Sequence, residues 1–355
     1  MITRVEIDGF KSFDEFGLDL RPFNVLVGPN NGGKSNLLEA VELLGELMRR
    51  SDRPLFERRR GTGAQLFRRR LDGVAVPEFG ISVRTGPSAA SAEPANIDTA
   101  SVRVEAGPEG LTVERTRPRG ADCYELLASL VPLAPVPERM RIGAALDDRG
   151  ALVPDGSNLA AVLGRISEAG LIRDLEMAAG FIIEDLREIH PIRYPELARW
   201  EFELAFGGRG RFPAALVSDG TLRILALLAA VYDPHGAKLL LVDELENGLH
   251  PAYRRRLVEI LRRQANGHRD LPSPQIIATT HSPAVLAAVL DGEHEDAVFL
   301  SQAAGRSPRA GALGGARTHT LARRIAESGE PGTYISSWEV RRYLDSTRPE
   351  SEVLT

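Results

Sequence analysis

The chain has 355 residues, 43% of them hydrophobic and 26% charged, with 44 Lys and Arg against 49 Asp and Glu for a net charge of −5. Those proportions are ordinary for a globular protein and exclude global disorder; the charge excludes a chain that is basic throughout, though not a local basic patch. The single Cys123 excludes an internal disulfide and a cysteine-based zinc site.

The N-terminus lacks an apolar signal-peptide core, and the longest apolar run, Ile224 to Tyr232, is far too short to span a bilayer. A soluble cytoplasmic protein with no membrane partner is the expectation. At roughly 100–200 residues per domain, the length fits two domains or one large α/β domain with insertions. The basic residues are 41 Arg and only 3 Lys, namely Lys11, Lys34 and Lys238. Each Lys is therefore worth attention, since Arg was available in its place.

Residues 1–8 alternate apolar and polar, with Ile2, Val5 and Ile7, as a half-buried or edge strand does. Residues 23–27 form an apolar run ending at Gly28. From Lys34 to Met48, residues Leu37, Leu38, Val41, Leu44 and Leu47 fall at helical spacing, so strand, loop and helix follow one another. Residues 79–85 and 101–116 read as strands, the latter turning at residues 107–110, and the small-residue stretch 87–94 between them reads as a loop. Residues 117–157 mix Pro, Gly and charge and define no element. Asn158 to Ile166 and Leu171 to Leu186 read as helices, residues 199–206 as a strand, and Thr221 to Tyr232 as a strongly apolar helix. Leu239 to Val242 is the continuous apolar run of a central parallel strand; Pro251 to Ala265 is helical, and Gln275 to Thr279 is another buried strand. Strands alternating with helices imply an α/β architecture.

Gly28-Pro-Asn30-Asn31-Gly32-Gly33-Lys34-Ser35 matches the phosphate-loop pattern G-x-x-x-x-G-K-[ST], between an apolar strand and an apolar helix. Glycines let successive backbone N–H groups turn toward phosphates, and the helix start adds its positive end. Lys34 places an ammonium on the β- and γ-phosphates, and the Ser35 hydroxyl can ligate Mg²⁺. Asn36 joins this nucleotide-binding set. After the later apolar strand come Asp243 and Glu244. The first can hold Mg²⁺, directly or through water, and the second can orient or deprotonate an attacking water.

Asp243 is preceded by Val217-Ser218-Asp219-Gly220-Thr221 and followed by Glu246 to Pro251, then by Thr279-Thr280-His281-Ser282-Pro283 at the end of the next strand. This ordered set resembles the ABC-type ATPase superfamily, most of all its soluble branch: SMC-like and RecF-like ATPases, and the AAA-annotated proteins grouped with the ATPase half of OLD-family nucleases. The resemblance covers residues 1–60 and 155–300. It implies an α/β fold, a P-loop NTPase of ABC-ATPase type with an antiparallel β lobe and an inserted helical subdomain. It assigns 1–130 to an N-terminal lobe with the phosphate loop and β subdomain, and 131–200 to the helical insert. Residues 201–300 become the C-terminal lobe with signature, Walker B and switch histidine, and 301–355 a tail without a Toprim nuclease domain.

By the same resemblance, Lys11 and Ser12 of Gly-Phe-Lys-Ser-Phe lie beside the nucleotide, and Asp155 to Leu159 precedes an insert helix. Ser218 and Gly220 belong to the signature that caps the γ-phosphate of the other subunit, and His281 is the switch histidine. From the residues alone, Ser218 is equally a plain helix N-cap and His281 a structural histidine at a strand end. His250 has no metal partner at suitable spacing and reads as a loop contact near a dimer interface. Leu245 stands where the family commonly has Pro, and Gln65 is a candidate Q-loop residue.

The implied protein binds ATP and Mg²⁺, closes as a homodimer with ATP at the interface, and hydrolyses ATP with Glu244 and His281 as catalytic residues. It would act as a nucleotide-gated switch in DNA maintenance, repair or antiphage defence. The alternative is a regulatory or scaffold subunit controlling a separately encoded nuclease or effector. Nine Arg fall between Arg49 and Arg70, opposed only by Asp52 and Glu57, which raises DNA as a partner.

Overall fold

A computed structural model describes residues 1–49, 63–69, 73–87, 97–108, 110–267, 271–292, 294–305, 317–326 and 334–346. In chain order its elements are β1 (Ile2–Asp8), β2 (Phe16–Asp19), β3 (Phe23–Val27), α1 (Lys34–Arg49), β4 (Glu78–Thr85), β5 (Asp98–Gly107), β6 (Gly110–Thr116) and α2 (Ala121–Ala128). Then come β7 (Leu130–Leu133), α3 (Pro137–Met140), β8 (Ala144–Ala145), α4 (Leu159–Glu168), α5 (Ile172–Ile182), β9 (Leu186–Tyr194), β10 (Arg199–Phe206), β11 (Gly210–Pro213) and α6 (Asp219–Tyr232). The chain continues with β12 (Leu239–Val242), α7 (Pro251–Ala265), β13 (Gln275–Thr280), α8 (Pro283–Leu290), β14 (Ala297–Gly305), β15 (Arg317–Ile325), β16 (Tyr334–Ile335) and α9 (Ser337–Ser346). It divides into two units. One comprises Met1–Ala128, Thr279–Pro283 and Glu293–Thr355; the other comprises Ser129–Ala278 and Ala284–Gly292.

The first unit contains an antiparallel sheet in the order β2-β1-β4-β5-β6. Register places Val5 opposite Val83, and Val83 opposite Ala100, so one face is apolar and buried. Helix α1 packs on β4 and β5 and on α2. The opposite face is polar. There Arg4 pairs with Glu6 and with Asp19, each at 2.8 Å, as an antiparallel sheet with one wetted face allows. Phe10, Phe67 and Phe79 interlock edge-on, with ring centroids 5.0–5.3 Å apart, an arrangement that contributes beyond simple burial. The same unit holds β16-β15-β14-β3: β14 runs parallel to β3, which is buried along its whole length, and β14 and β15 form an antiparallel hairpin.

The second unit holds the parallel set β13-β12-β7, with every residue of β12 buried. Continuous apolar sequence is what a strand covered on both faces requires. A separate antiparallel group is centred on β10, paired to β9, β11 and β8. Helix α6 is buried on nearly all sides and packs against α3, α4, α5 and α7, which accounts for its lack of a polar face.

Its C-terminal end is tied by a buried ion pair. Arg165 of α4 donates through Nε to Asp233 Oδ1 at 2.9 Å and through one terminal nitrogen to Oδ2 at 2.6 Å. That nitrogen also donates to Gly150 O at 2.7 Å. The carboxylate raises the pKa of the Arg165 guanidinium above its ordinary value, against the opposing effect of burial.

The helix expected to run to Leu186 stops at Ile182. Ile183 is extended and Asp185 takes a left-handed conformation at φ +62°, which ends a helix and lets Leu186 begin β9. Residues 117–157, undefined by pattern, hold α2, β7, α3 and β8. Residues 131–200 carry strands as well as helices, and the stretch after 300 holds β15, β16 and α9.

Candidate nucleotide site

The phosphate loop lies in the first unit, between β3 and α1. Strand β3 ends because Gly28 adopts φ +147°, where a Cβ would collide with the Leu300 carbonyl oxygen of β14. Gly32 sits so close to the same carbonyl that a Cβ would come within 2.8 Å of it. Gly33 has φ +96°, and a Cβ there would meet Thr320 Oγ1 at 2.5 Å. At Gly28 and Gly33 only glycine satisfies both the backbone conformation and the space; at Gly32 the space alone demands it. Asn31, at φ +68°, is of a residue type that tolerates the left-handed region. Its carbonyl accepts from Gln302 Nε2 at 2.8 Å.

Lys34, the first residue of α1, is buried. Its ammonium donates to Gly28 O at 2.7 Å and Pro29 O at 2.9 Å, so it lies across the loop. Asn30, Asn31 and Ser35 are exposed, while Gly32 and Gly33 are buried beneath them. A cradle floored by glycines, with a held ammonium and the positive end of a 16-residue helix, fits a chain of phosphates.

Lys11 and Ser12 come to the same region. Ser12 Oγ accepts from Asn36 Nδ2 at 3.1 Å and from Thr320 Oγ1 at 2.8 Å. Lys11 takes φ +48° and forms an ion pair with Glu39 of α1. Thus Lys11, Ser12, Gly33 and Asn36 are brought together. His281, also in the first unit, is half-buried between the buried Thr280 and Ser282, where Ser282 N donates to Thr280 Oγ1 at 3.0 Å. Gln65 is exposed at the end of a short 3₁₀ turn.

In the second unit, Asp243 and Glu244 are exposed at the C-terminal end of β12. Glu244 is held at φ +53°, a conformation costing a non-glycine residue roughly 1–2 kcal/mol. Its carbonyl accepts from Asn247 N at 2.8 Å, and buried Leu245 and Leu249 pin the following loop. Ser218 caps α6: its Oγ accepts from Thr221 N at 3.3 Å and donates to Thr221 Oγ1 at 2.8 Å. A Cβ on Gly220 would come within 3.1 Å of Gly248 O, so the segment from Ser218 to Thr221 and the loop after Glu244 lie against each other.

Arg141, at the end of α3, braces this segment, donating to Val217 O at 2.8 Å and to Asp219 Oδ1 at 2.5 Å. His250 is an N-cap as well, its Nδ1 accepting from Ala252 N at 3.3 Å. Asp155 accepts from Ser157 N at 3.0 Å, and this bond holds its carboxyl below the usual carboxylate range.

Among the described residues, no three His, Cys, Asp or Glu side chains gather as a metal cluster; Mg²⁺ held through phosphates and water needs fewer protein ligands. Ser35 and Asp243 carry the oxygen chemistry such an ion takes. Sequence reasoning missed Gln302, Thr320 and Arg141. They lie far along the chain from the groups they touch, and no local pattern marks them.

Of the nine Arg between 49 and 70, Arg50, Arg53, Arg58, Arg59, Arg60 and Arg70 lie outside the described residues. Arg49 donates to Ala128 O at 3.0 Å, Arg68 is buried against Asp14 at 2.9 Å, and Arg69 donates to Gly73 O at 3.4 Å. No helix among the described residues is long and apolar enough to cross a membrane.

A phosphate loop after a buried parallel strand, with an acidic pair closing another, defines a P-loop nucleotide-binding fold. Comparison with known proteins narrows it. Residues 1–68 match the AAA ATPase domain family, and residues 136–287 match the family described as AAA domain, putative AbiEii toxin, Type IV TA system. The chain is 34% identical over 95 residues to the DNA replication and repair protein RecF of Mesorhizobium japonicum, a match covering 26% of this chain and 24% of that relative.

The fold is similar to an SMC head crystallised with the C-terminal winged-helix domain of ScpA: TM-score 0.63, 16% identity, 91% of this chain and 98% of the other. It is also similar to the Pyrococcus furiosus SMC head with an extended coiled coil bound to the C-terminal domain of ScpA: TM-score 0.56, 14% identity, 98% and 99% covered. The fold is that of SMC head domains. Separate parts of the chain are thus similar to AAA ATPase domain families and to RecF.

Proposed function

We propose that the chain binds ATP with Mg²⁺ at the phosphate loop and hydrolyses it as a homodimeric switch. The observation that carries this reading is the glycine-floored loop with the buried Lys34 ammonium across it. Lys34 would exchange its two carbonyl acceptors for phosphate oxygens, a charge-assisted contact stronger than a neutral one. The N-terminus of α1 would stabilise the same negative charge. Ser35 and Asp243 would each offer an oxygen ligand suited to Mg²⁺, whose chemistry would be neutralisation of charge on the β- and γ-phosphates. Glu244 would accept a proton from, or orient, the attacking water, and His281 would sense the γ-phosphate.

Ser218 and Gly220 would close on the nucleotide of a second copy. The N-cap bond of Ser218 supports its being a fixed helix-terminal donor region suited to an anion. The RecF relative's name supports a role in DNA maintenance, and the toxin–antitoxin description of the matching family supports a defence setting.

The test is ATP hydrolysis by the wild type, Lys34→Ala and Glu244→Gln. The expected result is loss of turnover in both variants by about 10²-fold or more, with ATP trapping a dimer of Glu244→Gln on size-exclusion chromatography. Equal turnover in all three proteins would sink the assignment.

A further inference from the structure

The C-terminal β14–β15 hairpin touches the phosphate loop at two points. Gln302 on β14 holds the Asn31 carbonyl, and Thr320 on β15 sits under Gly33. Thr320 is also joined to Ser12 by its backbone N–H, which donates to Ser12 O at 3.0 Å, and by its hydroxyl.

The direction of that hydroxyl bond follows from burial. Thr320 is 1% exposed, and Ser12 Oγ is the hydrogen-bond partner of its Oγ1. If Ser12 donated, the Thr320 proton would be left buried without an acceptor, at roughly 1–3 kcal/mol. Thr320 therefore donates. Asn36 Nδ2 also donates to Ser12 Oγ. A hydroxyl has two lone pairs and one proton, so with both lone pairs accepting, Ser12 can use its O–H only as a donor. That donor lies beside Gly33, where a Cβ would come within 3.2 Å of Ser12 Oγ.

We propose that Thr320 is a positioning residue of the nucleotide site: it supports Gly33 from below and turns the Ser12 hydroxyl into an obligate donor toward the bound phosphates, with Gln302 fixing the loop at Asn31. The inference rests on the ATP-binding reading above. It makes the segment after residue 300 a part of the site, although that segment has no phosphate-loop motif of its own.

The experiment is titration of a fluorescent ATP analogue with Mg²⁺ against the full chain as wild type, Thr320→Val, Thr320→Ser, Gln302→Leu and Lys34→Ala, with thermal unfolding of each. Thr320→Val keeps the branched shape and removes the hydroxyl. Its affinity is expected to fall about 10-fold, with Thr320→Ser restoring most of it. Gln302→Leu, at an exposed position, is expected to weaken binding about 3-fold, and it decides the matter if Thr320→Val does not fold. Wild-type affinity in both Thr320→Val and Gln302→Leu, with Lys34→Ala impaired, would overturn this inference alone. A wild type that binds no better than Lys34→Ala would overturn the ATP-binding reading and this inference with it.

Discussion

Replacing Arg165 by Met would strand Asp233. The carboxylate is fully buried, and it would lose both charge-assisted bonds, at 2.9 and 2.6 Å. His235 N, at 3.1 Å, would still donate to it. Gly150 O would lose its donor as well. Breaking a buried pair by removing one partner destabilises by about 3–5 kcal/mol, because a charge remains without compensation. Replacing both partners with apolar residues of similar size is often close to neutral. The prediction is therefore a cycle. Arg165→Met loses about 3–5 kcal/mol, and Arg165→Met with Asp233→Leu recovers most of it.

The assay is urea unfolding followed by circular dichroism, with the coupling taken from the four corners of the cycle. The pair ties α4 to the end of the buried helix whose other end is the Ser218 segment. The nucleotide-dependent dimerisation proposed above should therefore fall in the single variant and return in the double one. A loss below about 1 kcal/mol in the single variant, or a double variant worse than the single, would refute the reasoning.

Two further outcomes are expected. Gly33→Ala would force a Cβ at φ +96° onto Thr320, costing about 1–3 kcal/mol; isothermal titration should show ATP affinity lost, and differential scanning calorimetry a lowered Tm. The Asp155 carboxyl has its folded pKa depressed below its ordinary value of 3.8 by the Ser157 backbone bond. Its contribution to stability is thus present above pH 3.8 and is lost as the pH falls through the lower folded value. Asp155→Asn should be less stable than the wild type in urea unfolding near neutrality, and the gap should close as the pH falls below about 4.

Much of this protein was legible locally. The β3–loop–α1 unit follows from an apolar run, glycines with Lys34, and leucines at helical spacing, all within 27 residues of chain from Phe23 to Arg49. Strand β12 with Asp243 and Glu244, and the N-cap at Ser218, are equally local, because short-range backbone preference and burial set them. The end of α5 was less so: Ile183 and Glu184 continue an apolar–polar pattern, and only the left-handed Asp185 and the pairing of β9 with β10 stop the helix.

Adjacent residues alone establish a glycine-rich loop with Lys34, an acidic strand end and a helix start capped by Ser218, because each is a local property of the chain. What surrounds them was decided by tertiary structure. Thr320 lies 287 residues after Gly33 in the numbering, yet its hydroxyl occupies the space a Cβ would need. Arg165 finds Asp233, and Arg141 finds Val217, only once helices and loops have packed. Burial is the physical reason. A polar group removed from water must take whatever partner the fold brings within hydrogen-bond reach, and sequence spacing does not record which group that will be.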